Sequence, residues 1–219
     1  MPRLLFSKQG EAVWISHLDL MRLFQRAFKR ADLPLTHTQG YNPRPSVSIA
    51  MPLSVGTESL CELLDFELEG EEVPCEDVMR RLNAVLVKGI KVHACCKNGR
   101  KLKELALLRC RLTLHYDSGV DQNTPMCITE LFGQPSLTVE KKSKNGPVEQ
   151  DIIPMIRSLC VCGTEEKTIT LEALVCCQNP SLNPMQIVAA IEKYLPEHKP
   201  DHATCRRMEI YDTNEKVFR

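Results

Sequence analysis

The stretch Ser16-His17-Leu18-Asp19-Leu20-Met21-Arg22-Leu23-Phe24-Gln25-Arg26-Ala27-Phe28-Lys29-Arg30-Ala31 decides the fold. At about 100° per residue, Leu20, Met21, Leu23, Phe24, Ala27, Phe28 and Ala31 fill one apolar arc of a helix, and Asp19, Arg22, Arg26, Lys29 and Arg30 fill the opposite arc. Ser16 is a good N-cap, and Asp19 three residues on reaches back to it while favouring the positive helix end. Pro34 stops the helix.

Working outward, Arg3 to Ile15 reads as a strand with an irregularity at Gln9-Gly10. After the helix, Val47 to Met51 alternates as a strand and turns through Pro52 to Thr57 into another, Leu60 to Leu68. Pro74 opens a second helix with Val78, Leu82, Val85 and Leu86 on its apolar side, and Gly89 ends it. Ile90 to Cys96 supplies the last strand. The order βαββαβ is the split-βαβ or ferredoxin-like arrangement, in which two helices cover one face of a four-stranded antiparallel sheet.

Lys97 to Lys103 is polar and basic and suits a linker. Beyond it, Leu105 to Tyr116 reads as a strand, and Thr124-Pro125 as the N-cap and first residue of a short helix ending at Gly133. Leu137 to Lys142 alternates, Asn145-Gly146 is a strong hairpin turn, and Val148 to Ile152 returns. Thr168 to Cys177 is a clear strand. Asn183-Pro184 caps a helix in which Ile187, Ile191 and Leu195 repeat every four residues, and Cys205 to Tyr211 closes the sheet. Pro154 to Cys162 has no assigned place. The expected fold is α+β, two tandem ferredoxin-like (βαββαβ) sandwiches with the second elaborated, over residues 1–99 and 100–219.

The chain has 219 residues, 43% hydrophobic and 26% charged, the balance of a globular protein. No run approaches a membrane span, and the opening residues carry no apolar run before a small-residue cleavage site, so the chain reads as cytoplasmic. Twenty-eight basic and twenty-eight acidic side chains cancel, so anion binding has to come from a local patch. Glu58, Glu62, Asp65, Glu67, Glu69, Glu71 and Glu72 crowd one strand and the loop after it. Basic residues gather instead at Lys97, Arg100, Lys101, Lys103, Arg109 and Arg111, and at Lys141, Lys142 and Lys144. That segregation suggests a basic side and an acidic edge.

The cysteines number eleven, an odd count at irregular spacing, and read as small core hydrophobes rather than a disulfide framework. Cys95-Cys96 and Cys176-Cys177 are strand neighbours that point to opposite faces. His198, His202 and Cys205 form the most metal-like string, but Pro196 and Pro200 break the helix that would align the two histidines, so no metal is expected. No C-x3-C-x2-C set occurs, and no bound cofactor is expected. Paired carboxylates, a P-loop, a dinucleotide glycine fingerprint and a serine-nucleophile elbow are also absent.

Arg22, Arg26, Lys29 and Arg30 on one helix face are a candidate anion-binding patch, with a plain solvated face as the competing reading. Next comes the loop Thr38-Gln39-Gly40-Tyr41-Asn42-Pro43-Arg44-Pro45. Its prolines hold Asn42 and Arg44 extended, Gly40 admits close approach, Tyr41 offers a stacking face and Arg44 a planar fork for phosphate. Gln39, Gly40, Tyr41, Asn42 and Arg44 are therefore candidate nucleotide contacts, or else part of a rigid crossover. His17, at the first helical turn, is a further candidate, more simply a core-edge histidine.

These strings also carry a family resemblance. Phe6-Ser7-Lys8-x-Gly10, Ile15 through Arg22, Arg30-Ala31-x-Leu33-Pro34, Gln39 through Pro45 and Pro52-Leu53-x-Val55-Gly56 resemble the radical-SAM-linked protein family of bacteria. Lys141-Lys142, Gly146 and Asp151-Ile152-Ile153-Pro154-x-Ile156 extend the resemblance, although an arginine would be expected before that proline. The resemblance implies a non-catalytic accessory or substrate-binding module that works with a separate radical S-adenosylmethionine enzyme on RNA or a ribosomal component. The alternative is a metal-independent endoribonuclease of the tandem ferredoxin-like CRISPR-processing type, with His17 as general acid or base. That class carries a glycine-rich loop near its C-terminus, whereas no glycine follows Gly163 here.

Overall fold

The computed structural model describes residues 1–143 and 146–219. Its contacts divide the chain into one unit of Met1–Leu102 with Arg219 and another of Lys103–Phe218. The fold is mixed α+β.

The first unit runs β1 (Arg3–Lys8), α1 (His17–Arg30), β2 (Val47–Ile49), β3 (Thr57–Phe66), α2 (Cys75–Val85) and β4 (Ile90–Cys96). Its strands lie in the order β4-β1-β3-β2, every neighbouring pair antiparallel. Leu20, Phe24, Ala27 and Phe28 of α1 are fully buried with Leu4, Phe6, Leu64 and Phe66 of the sheet and Val78 and Leu82 of α2. Phe6 meets Phe24 edge-on at 4.7 Å, and Phe28 meets Phe66 at 5.1 Å. Each such side chain contributes about 1.5–3 kcal/mol by leaving water. Arg3 and Asp65, on neighbouring strands, form a bidentate buried pair at 2.6 and 3.0 Å.

β1 is shorter than the expected strand from Arg3 to Ile15. It ends at Lys8, and Gly10–Trp14 forms a 3-10 turn. Gly10 sits at a φ of +57°, and the Lys8 ammonium donates to the carbonyls of Val13 (3.0 Å) and Ile15 (2.8 Å), folding the segment back.

The second unit runs β5 (Leu105–His115), α3 (Thr124–Phe132), β6 (Thr138–Ser143), β7 (Gly146–Asp151), β8 (Ile156–Thr164), β9 (Thr168–Cys176), α4 (Met185–Tyr194) and β10 (His202–Asp212). Its main sheet has the order β10-β5-β9-β8, again all antiparallel. With the β6-β7 hairpin set aside as an insertion between α3 and β8, both units place their strands in the same order relative to their helices. Lys193 and Tyr194 of α4 both donate to the Thr138 carbonyl, at 2.8 and 2.9 Å, and tie the hairpin to that helix.

Three expectations change here. The unassigned segment from Pro154 supplies edge strand β8. The last strand begins at His202 instead of Cys205. Thr124 is the first helical residue of α3 rather than its cap, because its hydroxyl is taken by His198 Nδ1 at 2.9 Å. Of the expected Asn145-Gly146 turn, Asn145 lies outside the described residues, as does Lys144.

Candidate nucleic-acid interface

Helix α1 starts as its sequence demands. The Asp19 amide donates to Ser16 Oγ (3.2 Å), and the Ser16 hydroxyl donates to the Asp19 carboxylate (2.7 Å). That hydrogen bond, then the one from Arg22 at 3.0 Å, hold the Asp19 carboxyl below its ordinary value. Asp19, Arg22, Arg26, Lys29 and Arg30 are all exposed.

The four cations are not equivalent. Arg22 is bound to Asp19. Arg30 donates to the Val85 carbonyl at the end of α2 and serves helix packing. The side chains of Arg26 and Lys29 make no hydrogen bond or ion pair among the described residues. His17 is half-buried, and its Nδ1 likewise has no partner among the described residues.

Past α1 the chain closes on itself. Ser46 N donates to the Thr36 carbonyl (2.7 Å), Thr38 N to the Arg44 carbonyl (2.8 Å), and Arg44 N to Thr38 Oγ1 (3.1 Å). A bridge joins His37 to Pro45. Residues 39–43 thus form the tip of a stem held by main-chain bonds, and Gly40 takes a φ of +146° there with open space around it. Gln39 to Arg44 are all exposed, and Tyr41 is fully so. A fully exposed aromatic ring on a tied loop offers both its faces to a ligand, and it loses little entropy on binding because its support is already ordered.

Lys29, Asp32, Leu35, His37, Pro45 and Glu69 line a groove of about 500 Å³ between the end of α1 and the stem of the loop. The helix and the loop are therefore adjacent. His37 Nδ1 lies 3.7 Å from Glu69, and Lys29 lines the groove with Asp32 and Glu69, so it carries both signs of charge.

The acidic edge expected from the sequence is dispersed. Asp65 is buried against Arg3, Glu62 is fully buried, and Glu72 pairs with Lys97 at 2.8 Å. Glu67 accepts from the Thr36 hydroxyl at 3.0 Å. Along β3 the acids do not all share a face, while Glu67, Glu71 and Glu72 after it line one pocket together.

Among the described residues, no three His, Cys, Asp or Glu side chains could hold a metal ion. His198 is taken by Thr124, and Cys205 is buried with its thiol pushed up to about 11 by burial. One thiol contact escaped the sequence reading. Cys95 lies against Cys75, and burial followed by that hydrogen bond pushes the Cys95 thiol up. Helix start and strand end bring the two together, and spacing carries no signal of it.

Residues 2–184 match the family described as "Uncharacterized protein conserved in bacteria (DUF2344)". No curated protein matches the chain. Among solved structures, a chain from "Crystal Structure of a Cbf5-Nop10-Gar1 Complex" is similar with a TM-score of 0.55 and 9% identity, over 95% of this chain and 48% of that one. A chain from "Structure of H/ACA RNP bound to a substrate RNA containing 2'-deoxyuridine" gives 0.49 and 8%, over 94% and 46%. This chain spans about half the length of each. At such identities the first likeness is one of fold alone.

Proposed function

The chain belongs to the DUF2344 family of bacterial proteins, and from that premise we propose that it is a non-catalytic RNA-binding accessory module. In this reading it works in the cytoplasm beside a separate radical S-adenosylmethionine enzyme and presents RNA or a ribosomal component to it. The observation that carries the RNA reading is the tied loop 38–44, which holds Tyr41 and the Arg44 side chain in solvent next to a groove lined by Lys29, with Arg26 exposed on the same helix. Tyr41 would stack a base, and Arg44, with Arg26 and Lys29, would take backbone phosphates. The radical partner rests on the sequence resemblance and on the lack of a three-cysteine cluster motif in this chain.

We read both units as ferredoxin-like. Support comes from the repeated β4-β1-β3-β2 and β10-β5-β9-β8 orders, each with its two helices in equivalent places. The absence of any helix long and apolar enough to cross a membrane, among the described residues, is compatible with this setting.

The test is fluorescence anisotropy of a labelled twelve-nucleotide oligouridylate between 50 and 200 mM salt, magnitudes chosen as about the range over which phosphate contacts dominate. Arg44→Ala should lower the slope of log affinity against log salt by about 0.7, the value for one single-strand phosphate contact. Tyr41→Ala should weaken binding about 5- to 150-fold. Wild-type affinity and slope in both variants would refute the reading. Shortening of the RNA that disappears in His17→Ala would favour the endoribonuclease instead.

A further inference from the structure

We infer that the face of the β10-β5-β9-β8 sheet turned away from α3 and α4 is a second site for single-stranded RNA. There the bases stack on the His115, His202 and Tyr211 rings, and Arg109 and Arg111 take the phosphates. This rests on the reading of the protein as an RNA binder and adds a surface in the other unit.

The strand registers build this face row by row. His202, His115 and Thr168 stand in one row, Thr204, Thr113 and Thr170 in the next, and Arg206, Arg111, Glu172 and Cys160 in the third. Glu209, Arg109, Leu174 and Ser158 make the fourth. Alternate residues of the same strands, among them Leu108, Cys110, Leu112, Leu114, Ile169 and Leu171, are buried and form the opposite face with Ile128, Ile187 and Ile191 of the helices. The rows from His115 to Arg109 are half-buried or exposed apart from Leu174. In the first unit the corresponding positions Arg3, Ser7, Cys61 and Asp65 are buried.

The chemistry of this face suits a nucleic acid strand. The His115 and His202 rings are parallel within 3° at 4.1 Å, a ready-made π surface. Burial, then the neighbouring His202, pushes the His115 imidazole below its usual value. Arg109 lies over the Tyr211 ring at 5.3 Å, a contact that holds its guanidinium beside that ring on this face.

Charge complementarity points the same way. Glu172 is shared by Arg109 at 3.7 Å and Arg111 at 3.5 Å, both longer than a good hydrogen bond, and with Arg206 and Glu209 in the same rows the face carries three guanidinium groups against two carboxylates. Arg111 Nε has no hydrogen-bond partner among the described residues. Four strands about 4.8 Å apart span about 15 Å, room for about two or three stacked bases.

The experiment titrates labelled twelve-nucleotide oligouridylate with the full chain and three variants. Arg111→Ala removes a cation from the face, Thr113→Glu adds a negative charge there without removing a partner, and the double variant Tyr41→Ala with Arg44→Ala disables the loop of the first unit. Arg111→Ala and Thr113→Glu should each weaken binding about tenfold, and Arg111→Ala should lower the salt slope by about 0.7. Wild-type binding by both, with loss in the loop variant, overturns this inference and leaves the loop reading standing. Loss in both, with the loop variant unaffected, supports the sheet face and overturns the loop. A wild-type chain that binds no RNA overturns both.

Discussion

Asp65→Ala should be among the most damaging substitutions in the first unit, because the Arg3 and Asp65 side chains are only 4% and 12% exposed. Removing the carboxylate deletes two charge-assisted hydrogen bonds, at 2.6 and 3.0 Å, from a guanidinium held in the interior. Breaking a buried pair in this way costs about 3–5 kcal/mol. With a urea m value of about 2 kcal/mol/M, the unfolding midpoint should drop by about 2 M. Gly99→Ala probes the same pair sterically, since its Cβ would stand 2.6 Å from Arg3 Cζ. It should cost about 1–3 kcal/mol. The double replacement Arg3→Met with Asp65→Leu should recover most of the loss, because apolar groups of similar volume often replace a buried pair at little cost. A midpoint for Asp65→Ala within 0.3 M of wild type, about the noise of such extrapolations, would refute the reasoning.

Phe24→Ala should destabilise by about 3–5 kcal/mol, whereas Arg26→Ala, on the opposite side of α1, should stay within about 0.5 kcal/mol; matched urea melts of the two variants check this. Burial holds both His93 and His115 below the ordinary histidine value, so the unfolded chain takes up protons more readily than the folded one. Stability should therefore be full above about pH 6.5, fall as pH drops below it, and level off under the folded values; a urea midpoint at pH 5.5 equal to that at pH 7.5 would contradict the sign. Iodoacetamide at pH 8 should label the exposed Cys160 and Cys162 first. Cys177, pushed up to about 12 by burial, and Cys205 should resist until the chain unfolds, and peptide mass spectrometry reads the order.

The order of elements was legible because each depends on local rules. Helix α1 announces itself by its apolar arc and its Ser16 cap, and the strands of the first half by alternation and by turn residues between them. The 3-10 turn at Gly10–Trp14 was not legible, since it depends on the Lys8 ammonium reaching two carbonyls further along the chain. Edge strand β8 was missed because an edge buries few side chains. Its Ile156, Leu159 and Val161 are only half-buried, and Arg157, Ser158, Cys160 and Cys162 between them are exposed, so no fully buried face marks the run. In the candidate site, glycine and the prolines marked the loop 38–44, but the Thr38 and Arg44 bonds that tie its stem appear only in three dimensions.

The sequence by itself determined the four helices and the strands other than β8, which face of α1 is buried, and which loop carries an exposed ring next to an arginine in sequence. Periodicity, capping and proline sterics act over a few residues and leave their mark in composition. Only the tertiary structure decided which distant residues share a surface. It buried Asp65 against Arg3 while turning the other acids elsewhere, and it stacked His115 on His202 in a row with Thr168. Those outcomes follow from strand register, which is set jointly by two chain segments far apart in sequence, and a shift of one residue in either would have turned every one of these side chains to the opposite face.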